Sequence, residues 1–246
     1  MSCALSLIRT VAAWLFTACF CVVLALVQAL SLRRTPTRFI QHFVRWWANT
    51  VLCILGIRLE LLNENTMDAQ VSRVFMSNHQ SALDLVWMAA ICPPAPLAIG
   101  KKEIAWIPFI NLGFWAMEYL YIDRKNPRRA MATLKKAARE VVERKRTLII
   151  APEGTRSPDG SILPFKRGAF KFAVETQAVI CPVVVSGAFE LLPKQKFLPK
   201  PGVMKLRFLP PVETKGMGPS DIEGLLHRVR DSICAEFEAQ RANPSG

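Results

Sequence analysis

The chain has 246 residues, enough for one sizeable domain and an accessory segment. A composition that is 51% hydrophobic is high for a soluble protein with 21% charged residues, so the apolar residues must be concentrated. The net charge of +13 (32 Lys and Arg less 19 Asp and Glu) points to polyanionic partners, and the Cys pattern argues against a disulfide framework or a zinc site. The seven Cys, at 3, 19, 21, 53, 92, 181 and 234, include no C-x-x-C pair and lie mostly in apolar runs. That pattern suits reduced, buried thiols in a protein facing the cytosol.

From Val11 to Leu32 the sequence "VAAWLFTACFCVVLALVQALSL" carries no charge and is long enough to cross a bilayer core. Arg33, Arg34 and Arg38 follow at once, which favours an uncleaved anchor with a cytoplasmic exit over a signal peptide cut after "VQA". After a break at Pro36, "FIQHFVRWWANTVLCILGI" (39–57) reads as an amphipathic helix at a membrane interface or packed on the remaining chain.

Beyond Ile57, short apolar runs alternate with helical stretches. Strands are expected at Arg58–Leu62, Arg73–Ser77, Ala95–Ile99, Tyr119–Ile122, Leu148–Ala151, Val179–Val185 and Met204–Leu209. Helices are expected at Leu83–Ile91, Ile107–Met117, Pro127–Arg144, Gly168–Thr176 and Ser220–Gln240, with Pro127 in a first turn and Ser220 as an N-cap. The alternation predicts an α/β fold with a mostly parallel central sheet flanked by helices. The organisation expected is N-terminal membrane-associated helices over 1–57, a single catalytic domain over 58–241 and a flexible tail over 242–246.

Four stretches could carry chemistry. In "SNHQSALDL" (77–85) a strand end, a polar turn and a helix start would place His79 at the sheet rim, with Asp84 in reach to orient it. The alternative is a helix-capping turn with a structural His. No G-x-S-x-G elbow or adjacent Cys supplies a nucleophile, so a His79 base would activate a hydroxyl brought by the substrate. In "APEGTRSPDG" (151–160), Gly154, Thr155 and Arg156 suit a phosphate, or else form an ordinary turn with Arg156 paired to Glu153. "YIDRKNP" puts Arg124 at the end of a strand. "LPFKRGAFKFA" (163–173) alternates basic and Phe residues, as for an amphiphile or a membrane, or as a helix with a solvated basic face. The three His share no metal-ligand spacing, and no P-loop, G-x-G-x-x-G or nucleic-acid module occurs.

Taken in order, these motifs resemble the glycerolipid acyltransferases, and most of all the lysophosphatidate acyltransferases. The resemblance rests on "NHQSALD" (78–84), "LYIDR" ending at Arg124, "PEGTRS" (152–157) and "VICPVVVSG" with Pro182, accompanied by "GKKEIAWIPF" and "LPFKRGAF". It implies that His79, oriented by Asp84, deprotonates the sn-2 hydroxyl of 1-acyl-sn-glycerol 3-phosphate for attack on the thioester of acyl-CoA or acyl-acyl carrier protein, giving phosphatidic acid. It further implies that Arg124, Glu153, Gly154, Thr155 and Arg156 bind the phosphate, and that Lys101, Lys166 and Gly168 are candidate contacts to the oxyanion or donor. The implied partners are the phospholipid bilayer, lysophosphatidate and the acyl donor. No tightly bound cofactor, metal or nucleic acid is expected, and the implied location is the cytoplasmic membrane with the catalytic domain toward the cytoplasm. Other lysolipids or glycerol 3-phosphate are alternative acceptors, and a non-catalytic lipid-binding protein is the alternative of another class. Two departures, Ala151 before Pro152 and Glu118–Tyr119 where Gly is often found, bear on packing more than chemistry.

Overall fold

The computed structural model describes residues 3–32, 37–63, 72–93, 95–123 and 125–242. Pro36, Arg33, Arg34, Arg124 and the expected tail from Asn243 onward lie outside them. Two compact units emerge: Met1–Leu55 with Val86–Ile149, and Gly56–Leu85 with Ile150–Gly246.

The first unit opens with helix α1 (Cys3–Leu30), the described helix long and apolar enough to cross a membrane. Helix α2 (Thr37–Leu55) packs against it through rings: Phe20 stacks on Trp47 at 5.3 Å, and Trp47 Nε1 donates to Thr17 Oγ1 at 3.3 Å. Arg45 of α2 spends its guanidinium on the Ile91 and Cys92 carbonyls at 3.0 and 2.8 Å, so this charge closes a loop. Helix α4 (Ile110–Ala116) packs on α1, where Gly113 leaves room for Cys21 Sγ and Gln28 Nε2 donates to Ala116 O at 3.0 Å. The N-terminal helices are therefore part of this unit's packing.

Strands β3 (Pro96–Lys101), β4 (Leu120–Ile122) and β5 (Thr147–Ile150) run parallel, with β3 between the other two. Helix α5 (Pro127–Glu143) has Pro127 in its first turn, as expected, and Asn126 Oδ1 caps it by accepting from Arg129 N at 3.1 Å. Buried Arg146 holds the region together, donating to Pro96 O and Met117 O at 2.6 and 2.8 Å and meeting Glu140 at 3.3 Å. Helix α3 (Asp84–Ile91) carries the chain out of the second unit.

In the second unit, β2 (Arg73–Ser77) and β6 (Val179–Ser186) pair in parallel and are buried at every residue. That explains why residues 74–76 and 179–185 read as apolar runs without alternation. Strand β7 (Gly202–Phe208) lies antiparallel to β6 and parallel to β1 (Ile57–Leu61), so the arrangement is mixed but mostly parallel. Helices α6 (Arg167–Thr176) and α8 (Ile222–Ala242) pack together, and α8 packs on β6. Its buried stripe is Ile222, Leu225, Leu226, Val229, Ile233 and Phe237.

Two expectations need correction, and one element was unforeseen. Ser220 does not cap α8: a short 3-10 turn (Pro219–Asp221) precedes the helix, and Asp221 Oδ2 accepts from Gly218 N at 2.7 Å. A one-turn helix α7 (Ala188–Leu191) was not expected, being too short for any periodicity to mark. All seven Cys are free, but Cys3, Cys19 and Cys53 are exposed because they sit on outward faces of α1 and α2.

Candidate active site

The site starts where β2 ends. Asn78 is fully buried and imitates a ladder residue: its Nδ2 donates to Val185 O at 2.8 Å, and its Oδ1 accepts from Val185 N at 2.9 Å. This ties the turn to β6 and fixes the backbone just before His79. The next residue is held from both sides. His79 N–H donates to Glu153 Oε1 at 2.7 Å, and His79 C=O accepts from Ser157 N at 2.9 Å. Thus "SNHQSALD" and "PEGTRS", far apart in sequence, meet at a single residue.

His79 Nδ1 and Asp84 Oδ2 lie 2.6 Å apart. The same Oδ2 accepts from Gln80 N at 3.0 Å and from Ser81 N at 3.1 Å. An oxygen receiving two backbone N–H groups is fixed as an acceptor, so Nδ1 carries the proton and Nε2 is left with its lone pair. Asp84 is also the first residue of α3, where the helix dipole favours a carboxylate. One oxygen therefore both holds the turn and meets the imidazole, a geometry common to the two readings of this stretch. Asp84 is 3% exposed at its side chain and His79 is 29% exposed, which leaves the imidazole accessible and its partner sealed.

Glu153 is placed differently from the expectation that it contacts phosphate. It is buried, and its second oxygen accepts from Leu163 N at 3.1 Å, so both oxygens serve backbone donors. Burial pushes its carboxyl up to about 7, with the bonds from His79 and Leu163 opposing the shift. Arg156 does not close an ion pair with it; instead Lys194 Nζ donates to Arg156 O at 3.1 Å and lies 3.4 Å from Thr155 Oγ1. Thr155 is exposed and Arg156 half-buried. Gly154 adopts φ +70°, and a Cβ there would stand 3.0 Å from Lys166 Nζ, so the amine lies over bare backbone. The loop closes with Lys166 N donating to Pro152 O at 2.9 Å.

Gly168 lies in the first turn of α6, with open space where a Cβ would stand. In "LPFKRGAFKFA" the rings of Phe165, Phe170 and Phe172 are buried, while Arg167 and Lys171 face outward to Glu223 and Glu175. This is an amphipathic helix with a basic solvated face; the amphiphile-holding pattern is not realised, because the rings belong to the core. Lys101 ends β3 in the other unit, with its amine 3.6 Å from Glu103. Among the described residues, no group of His, Cys, Asp and Glu could hold a metal ion.

Sequence reasoning missed Lys194 and Ser81. Ser81 Oγ donates to Leu192 O at 2.8 Å, tying the 192–200 loop to the His79 turn. The only trace of this in the sequence is the basic, Pro-containing run "LPKQKFLPK".

Comparison with known proteins places the chain in a family. A family model described as "Acyltransferase" matches residues 58–186. Human 1-acyl-sn-glycerol-3-phosphate acyltransferase alpha is 36% identical over 184 residues, which cover 75% of this chain and 65% of the human protein. A putative 1-acyl-sn-glycerol-3-phosphate acyltransferase of Caenorhabditis elegans is 33% identical over 211 residues, covering 83% of this chain and 73% of its own. The chain thus spans slightly under two thirds of the length of the mammalian relatives it matches. The crystal structure of PlsC, a 1-acyl-sn-glycerophosphate (LPA) acyltransferase from Thermotoga maritima, superimposes with a TM-score of 0.74 at 23% identity, covering 95% of this chain and 98% of that one. With its family model matched across the His79 turn and the PEGTRS loop, the chain belongs to the acyltransferase family.

Proposed function

We propose that the protein transfers a fatty acyl group from acyl-CoA or acyl-acyl carrier protein to the sn-2 hydroxyl of 1-acyl-sn-glycerol 3-phosphate, giving phosphatidic acid. The observation that carries this reading is the bond from His79 Nδ1 to an Asp84 oxygen already fixed as an acceptor. It leaves the Nε2 lone pair available to act as a base on a hydroxyl that the substrate brings. The names of the relatives above support the choice of acceptor.

In this reading Nε2 takes the proton of the bound hydroxyl as its oxygen attacks the thioester carbon. The carbonyl electrons move to oxygen and return as the C–S bond breaks. The imidazolium then protonates the departing thiolate, and Asp84 stabilises the cation in between. Lys101, Lys166 or backbone N–H groups, Gly168 among them, would meet the developing oxyanion. Thr155, Arg156 and Lys194, with Arg124, would hold the acceptor's phosphate, and Gly154 lets that anion approach the backbone. Glu153 would brace His79 and not touch the phosphate. The apolar helix α1 would keep the enzyme at the cytoplasmic membrane, with the site toward the cytoplasm, and the catalytic apparatus is assigned to residues 58–241.

Thiol release from a long-chain acyl-CoA, measured with lysophosphatidate, other lysolipids and glycerol 3-phosphate in turn, tests the reaction and its acceptor. Lysophosphatidate should give the highest kcat/KM, and His79→Ala should lower kcat by about 10²- to 10⁴-fold. Thiol release that is independent of any acceptor, or unchanged in His79→Ala, would sink the proposal.

A further inference from the structure

Helix α4 of the first unit has two sides. Toward the protein, Phe114 and Ala116 are buried, and Gly113 and Ala116 meet α1 at Cys21 and Gln28. Just before it, the 3-10 turn Lys102–Trp106 and the bend that follows present Trp106 at 85% exposure, Ile107 at 39% and Phe109 at 47%. Phe109 adopts φ +65°, ψ −38°, a conformation that costs a non-glycine residue about 1–3 kcal/mol. Scattered apolar residues on a surface need no explanation. Here a run of them sits directly before α4, the element that packs against α1, whose own outer residues Ile8, Val11, Trp14, Leu15, Leu26 and Leu30 are exposed.

We infer that residues 102–109 are a second membrane contact of this unit, separate from α1. Trp106 and Phe109 enter the headgroup layer of an anionic phospholipid leaflet. Three features select a bilayer over a protein partner. Two of these three apolar residues are aromatic, and one is Trp, which is favoured at the membrane–water boundary. Lys101 and Lys102, each about half exposed, stand at the foot of the turn as phosphate-facing cations, although each also meets a carboxylate. Helix α4, which follows the run directly, packs on α1, so the run is tied through one short helix to the apolar anchor. An aromatic wedge beside the anchor would limit how the unit tilts on the membrane, which a single helix cannot do.

The inference rests on the membrane placement of α1 proposed above, and one experiment separates the two. Full-length protein is bound to vesicles of phosphatidylcholine and phosphatidylglycerol, with or without lipids brominated high on the acyl chain. The Trp106 emission is obtained as wild type minus Trp106→Phe. The expected result is that this component is quenched by brominated lipid and shielded from aqueous iodide. A Trp106 component still open to iodide, while the remaining Trp emission is quenched by bromine, overturns the wedge and leaves α1 at the membrane. Shielding from iodide without bromine quenching overturns it in favour of a protein contact. Absence of bromine quenching in both components overturns the membrane placement as well. As a second readout, Trp106→Ser/Phe109→Ser should keep its acyl transfer in detergent within about two-fold and lose it several-fold on vesicles; equal activity on both would also overturn the wedge.

Discussion

Two acidic residues hold His79 by different routes: Asp84 at the ring, Glu153 at the backbone N–H. A carboxyl raised to about 7 binds a proton more tightly in the folded chain than in the unfolded one, whose value is near 4.5. Its contribution to stability is fully present below about 4.5 and is lost as pH rises through about 7, by up to roughly 3 kcal/mol. In Glu153→Gln this loss should vanish, so the stability curve between pH 5 and 8 should be flatter than wild type in denaturant titrations. Because an amide accepts at only one atom, the variant should also be destabilised by about 1–3 kcal/mol near pH 5 and have lower kcat. An unchanged pH slope would remove Glu153 as the titrating group. Lys194→Ala should raise KM for the phosphorylated acceptor by about ten-fold with kcat nearly unchanged, in steady-state assays varying the acceptor. A selective effect on the acyl donor would place Lys194 in the other pocket.

At the scale of elements, the β2–β6 pair is what makes the site rigid. The Asn78 side chain continues the ladder past Ser77, so the turn bearing His79 begins on a fixed frame. Asn78→Ala should leave a buried N–H and C=O of Val185 without partners, costing about 2–4 kcal/mol, read as a lowered midpoint of thermal unfolding in detergent. The strands were legible because β2 and β6 are continuous runs of apolar and β-branched residues closed by turn residues. Their order was not legible, since the antiparallel β6–β7 pairing depends on α7 and the 192–200 loop, which carry no periodic signal. The same limit hid Lys194: a Lys in a Pro-containing loop is indistinguishable from a solvated one until the loop folds onto Thr155 and Arg156.

For the whole molecule, the charge of +13 and the apolar α1 bear on where the protein works. Because α1 covers α4 at Gly113 and Ala116, deleting residues 1–32 should not release a well-behaved soluble protein. The shortened chain should aggregate or require detergent, as seen by size-exclusion chromatography. A monodisperse, fully active product would show that α1 is dispensable to the fold.

The sequence by itself determined most of the elements and put Asp84 within reach of His79, because periodicity, residue type and short spacings are local properties. Tertiary structure alone decided what each polar group touches. It gave Asp84 two duties on one oxygen, drew Glu153 inward to brace His79, sent the Phe rings of 163–173 to the core and brought Lys194 to the PEGTRS loop. The physical reason is that burial and hydrogen-bond partners are set by segments distant in the chain, and a carboxylate or an amine takes its role from those partners.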